Sequence, residues 1–122
     1  MSRVGALALI AALIFAFSPA HAQACDKNFV VHNKTSATIV KLFVSPTQVD
    51  DWEDDVLANT SSIDPDTTKR INMTDDDRNY SLYDVKAVLD SGGPVLGYKI
   101  NLCRALSVWI YDDRVEYSND ES

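Results

Sequence analysis

The side chains able to do chemistry are few, and carboxylates dominate them. Beyond residue 24 there is one histidine, His32, and there are two cysteines, Cys25 and Cys103. Carboxylates come in runs: Asp50, Asp51, Asp54 and Asp55, then Asp75, Asp76 and Asp77. Nucleophilic catalysis of the Ser-His-Asp or Cys-His kind would have to be built on His32, which sits in an apolar run without a G-x-S-x-G sequence nearby. It reads instead as a half-buried strand histidine. Zinc needs three or four His or Cys ligands, more than this set provides. Paired carboxylates could serve glycoside hydrolysis, but that chemistry also needs a cleft deep enough for a sugar. Calcium accepts oxygen ligands alone, yet the D-x-[DN]-x-[DN]-G loop spacing is absent. Solvated, solubilising loops are the plainer account of these acids. The pair Gly92-Gly93 is a turn and not a phosphate loop, so no cofactor is implied.

Trp52 stands inside the first acidic run, flanked by Asp51, Glu53, Asp54 and Asp55. An aromatic ring among charges is common hot-spot material, which makes Trp52, Asp51, Asp54 and Asp55 the candidate contact residues. The spacing of Val49, Trp52, Val56 and Leu57 also matches one face of a short helix over 47–57, and that spacing favours a core plug for Trp52.

The elements that must position these residues read as strands. Glu is scarce and Asp abundant, while Val, Ile, Thr and Tyr are frequent, a composition of strands joined by polar turns. Phe29–Asn33 and Ala37–Val44 read as two strands of a hairpin split by Lys34-Thr35-Ser36. The second of them is apolar on both alternating sets, as in a strand covered on both faces. Thr67–Met73, Tyr80–Leu89, Val95–Leu102 and Ala105–Tyr111 follow, with Asp90-Ser91-Gly92-Gly93-Pro94 as the clearest turn. The expected fold is all-β: a small antiparallel β-sandwich or barrel of about six strands, with one short helical segment near 47–57.

The compartment follows from the first 24 residues. Arg3 is followed by an apolar run from Val4 to Phe17, a Ser18-Pro19 break and small-x-small sites at Ala20–Ala24. This is a bacterial signal peptide in form, too short for a comfortable membrane span. Residues 25–122 then make one β-rich domain that is periplasmic or secreted. It carries 10 basic and 18 acidic residues, a net of −8, which argues against nucleic acid as a partner. In an oxidising compartment Cys25 and Cys103 pair by default. The bond would close a loop of about 79 residues and contribute on the order of 4 kcal/mol. Lipidation of Cys25 is the alternative, disfavoured by Ala22 and Gln23 just upstream.

The stretches Asn33-x-Thr35, Val44-Ser45-Pro46, Asp51-Trp52-Glu53-Asp54-Asp55-Val56-Leu57, Tyr83–Val88 and Leu102-Cys103 together resemble a family of small secreted bacterial proteins. That resemblance implies a compact β-rich domain without an established activity. Some members carry the label argininosuccinate lyase, but that enzyme is a large helical tetramer with a site shared among subunits. Three positions depart from the pattern: Ser36 replaces Gly, Asn101 replaces Asp, and Tyr80-Ser81 stand where a cysteine is usual. Charge, length and the missing nucleophile point to a non-catalytic module that binds a protein or a cell-envelope component. A small carboxylate-dependent hydrolase and a calcium-stabilised structural module are the alternatives.

Overall fold

The computed structural model describes residues 25–58, 60–73 and 76–119. The expected signal peptide lies outside the described residues, as do Thr74 and Asp75 of the second acidic run. Among the described residues seven strands form two sheets: β1 (Phe29–Asn33), β2 (Ile39–Pro46), β3 (Thr68–Ile71), β4 (Leu82–Leu89), β5 (Pro94–Asn101), β6 (Ser107–Ile110) and β7 (Val115–Ser118). Sheet A has the order β3-β1-β6-β7 and sheet B the order β2-β4-β5. The chain is all-β, consistent with a small β-sandwich-like fold. One core draws on both sheets: Phe29, Val31, Val108 and Ile110 from sheet A meet Leu42, Val44, Tyr83, Val85 and Ala87 from sheet B.

The pairing is not purely antiparallel. β1 lies parallel to β6, with Val30 opposite Ser107 and His32 opposite Trp109. Nor do β1 and β2 form a hairpin, because they belong to different sheets. The short polar link expected to be a hairpin turn is a corner between sheets, pinned by Asn33. The Asn33 side-chain amide donates to the carbonyls of Ala37 and Ile63, each at 2.8 Å. Its Oδ1 accepts from the Thr35 amide at 2.9 Å and the Thr35 hydroxyl at 2.7 Å. All four hydrogen bonds are buried, so the Asn-x-Thr signature has a structural purpose.

The two apolar sets of β2 also have a local cause. The register slips between Ile39 and Lys41, so Ile39 and Leu42 are both buried although they lie an odd three positions apart. The apolar side chains Ile39, Leu42 and Val44 are buried on the inner face, and the outer face carries the half-buried Phe43 and the buried Ser45.

No helix occurs among the described residues, and the expected one at 47–57 is replaced by turns. Side chains there compete for the backbone amides a helix would use. Ser45 Oγ accepts from the Glu53 amide at 2.8 Å, and Asp55 Oδ1 accepts from the amides of Leu42 and Leu57 at 2.9 and 3.0 Å. The segment is stitched to the edge of β2, where Val56 also donates to the Leu42 carbonyl. A disulfide joins Cys25 to Cys103, with 5.3 Å between their Cα atoms. It is compatible with an oxidising, extracytoplasmic setting.

Candidate functional site

Polar side chains gather in three places among the described residues. The largest lies where the chain enters the domain. Lys27 is only 2% exposed, and its ammonium sits 3.5 Å from Asp76 Oδ1 while donating to the carbonyls of Asp76 and Arg78. The Tyr83 hydroxyl donates to Asp76 Oδ2 at 2.6 Å, and Arg78 binds both Asp76 oxygens. The same guanidinium donates to Glu53 through two bonds of 2.9 Å. Burial disfavours the Asp76 carboxylate, but the hydrogen bonds from Arg78 and Tyr83 outweigh it and hold the carboxyl well below the usual range. Burial and the bond to Asp76 push the Tyr83 phenol upward. The Arg78 bonds bring the Glu53 carboxyl down. This is a closed knot of charges tying four chain segments together.

His32 lies on the outer face of sheet A. Its ring stacks on Trp109 with centroids 3.7 Å apart, and its Nε2 is 3.0 Å from Ser107 Oγ. Burial and the nearby Lys34 charge lower its pKa. A Ser-His pair in hydrogen-bond contact is a nucleophile-base arrangement in outline, but Ser107 is 0% exposed and closed to any substrate.

The third cluster is on the outer face of sheet B. Ser45 and Thr47 at the end of β2, Asp84 on β4, Tyr98 on β5, and Val49, Asp50, Asp51 and Trp52 line a groove of about 210 Å³. A bulge shapes it. Tyr83 pairs with Ile100 and Val85 with Gly97, so Tyr98 and Lys99 together oppose Asp84. Lys99 takes the left-handed conformation, with φ of 57°, and its amide donates to Asp84 Oδ1 at 3.0 Å. The Thr47 hydroxyl donates to the same oxygen at 2.7 Å. This insertion leaves Tyr98 60% exposed at the groove wall. Trp52 forms another wall, half-buried, with the Lys86 ammonium 5.2 Å from its ring and 4.9 Å from that of Phe43.

Two of the four expected contact residues meet here. Trp52 and Asp51 line the groove, and Trp52 lies outside the core in which helical spacing would have placed it. Asp54 faces a broader depression with Val44, Glu53, Val56, Asn72, Met73 and Asp76. Asp55 turns to the backbone of β2. Tyr98 and Asp84 escaped the sequence reading, because a bulge on β5 leaves no mark in its alternation. Among the described residues none of Asp50, Asp51 and Asp84 is in an ion pair. Nor, among those residues, do three His, Cys, Asp or Glu side chains converge as a metal site.

Neither a family model nor a curated protein matches the chain. The fold is similar to the NMR structure of a protein from Eubacterium rectale, with a TM-score of 0.55 and 17% identity. The likeness covers 81% of this chain and 91% of that one. At that identity it shows a shared fold alone.

Proposed function

We propose that this chain is an exported, non-catalytic binding module, and that its working surface is the outer face of sheet B around Trp52 and Tyr98. One observation carries the reading. This groove gathers two aromatic walls and three carboxylates, none of which is in an ion pair among the described residues. Leu82 and Leu96, both exposed, share that face by strand register, adding apolar area of the kind partner surfaces use. At about 210 Å³ the groove is smaller than the roughly 300–1,000 Å³ of metabolite pockets. That size favours a macromolecular partner, in keeping with a protein or envelope component. The signal-peptide form of residues 1–24, the Cys25–Cys103 bond and the resemblance to small secreted bacterial proteins agree with a periplasmic or secreted role.

Site-specific photo-crosslinking in intact cells tests this reading. A photoreactive residue at position 98 is expected to give an adduct with one envelope protein. The same residue at position 70, on the outer face of sheet A, is expected to give none. Equal adducts from both faces, or none from position 98, would overturn the proposal.

A further inference from the structure

We propose that the groove takes one cationic side chain, an arginine, from an extended segment of the partner protein. The inference rests on the binding reading above and names the chemistry of the contact. At about 210 Å³ the groove falls below the roughly 300–1,000 Å³ of metabolite pockets and suits a single long side chain.

Its lining then selects the charge. Asp50, Asp51 and Asp84 contribute three carboxylates, and no Lys or Arg lines the cavity. Asp84 is held in place by Thr47 and the Lys99 amide, both through Oδ1, so the position of its carboxylate is set before any ligand arrives. An anionic occupant would meet repulsion from these acids, while a cation gains attraction from each of them.

The walls select among cations. Trp52 forms one aromatic wall, with the Lys86 ammonium 5.2 Å from its ring showing that a cation can sit against this indole. Tyr98 presents a second ring, held outward by the bulge. A guanidinium is planar, weakly hydrated and able to stack on aromatic faces while its N–H fork reaches carboxylates. A compact ammonium fills only the electrostatic part of that description. The Thr47 hydroxyl, whose proton goes to Asp84, keeps acceptor capacity beside the end of β2.

The test is a titration of the isotope-labelled protein, residues 25–122, followed by NMR. The probe is an acetylated, amidated octapeptide of glycine and serine with two arginines. Controls are the same peptide carrying citrulline, which keeps the shape and removes the charge, and neutral maltotetraose. The expected result is chemical-shift change at Thr47, Trp52, Asp84 and Tyr98, with Kd of about 10⁻⁴–10⁻³ M. Citrulline should weaken binding at least tenfold, and added salt should weaken the arginine complex several-fold. The double variant D50N/D51N and the single variant Y98A should each lose at least fivefold in affinity while keeping native spectra, since all three positions are exposed.

Equal binding of the citrulline peptide, binding of maltotetraose at the same residues, shifts gathered on sheet A, or no shifts at all would overturn the arginine assignment. A crosslink from position 98 that survives such a result leaves the binding module standing and removes only its cationic ligand. Loss of that crosslink removes both.

Discussion

Two groups of carboxylates in this protein face opposite conditions. Around Asp76 every charge has a partner: Lys27, Arg78 and Tyr83 surround one buried acid, and Arg78 reaches on to Glu53. Around Trp52 and Tyr98 three acids share a groove without a cation in its lining. The first arrangement stabilises the fold by satisfying groups that burial would otherwise penalise. The second leaves electrostatic potential at the surface for another molecule to use. Acid content alone does not separate structure from function here. Counter-ions do.

The sharpest way to break the comparison is to remove a partner from the closed knot. Lys27→Met leaves Asp76 facing one cation fewer in a buried setting, and a loss of about 3–5 kcal/mol is expected from chemical denaturation. Groove binding below the variant's melting temperature should remain. A variant as stable as the parent would show that Lys27 is not integral to the core.

Packing between the sheets gives the next effect. Gly97 lies against Val115, and an added Cβ would fall 2.6 Å from that of Val115. Gly97→Ala should cost about 1–3 kcal/mol through forced displacement of β7. Urea midpoints check this, and an unchanged midpoint would mean that β7 yields freely.

Acid titration sharpens the contrast further. The folded Asp76 carboxyl sits below its ordinary 3.8, so its contribution is complete above that value. It is lost as pH falls below 3.8 toward the folded value. Asp76→Asn should therefore flatten the stability curve below pH 4. His32 acts at milder pH with the same sign. Its folded pKa is lowered from 6.5 by burial and by Lys34, so its contribution is whole above 6.5 and fades as pH drops below it. His32→Gln should remove that slope, an effect of about 1 kcal/mol or less.

The smallest stability effects belong to the groove. Tyr98→Ala and Asp51→Asn change exposed side chains and should shift stability by about 0.5 kcal/mol or less. Their consequence should appear in binding alone.

Some of this was legible in the residues. Gly92-Gly93-Pro94 marks the β4–β5 hairpin, with Gly92 at φ of 121°, and the alternation through β4 gives its buried face directly. The disulfide joins the two cysteines that the count beyond residue 24 leaves to pair. β7 was missed because Val115–Ser118 is a short, largely exposed edge strand with weak alternation. The parallel β1–β6 pair depends on contacts some 75 residues apart, to which local pattern is blind. Asn33 misled because the residues that make a tight hairpin also make a corner between sheets. Val49, Trp52 and Val56 misled because helical spacing says nothing of the side-chain bonds from Ser45 and Asp55 that claim the backbone first. In the groove, Trp52 and Asp51 are neighbours in sequence and could be named, whereas Asp84 and Tyr98 reach it from other strands through a bulge.

The central claim is that the unpaired acids work and the paired acids hold. It is tested most directly by measuring thermal stability and partner crosslinking together in two variants, D50N/D51N/Y98A and K27M. The account predicts a crossed result: the groove variant melts like the parent but captures no partner, and the Lys27 variant melts lower but still captures it in the cold. A groove variant that keeps its crosslink at full yield would contradict it.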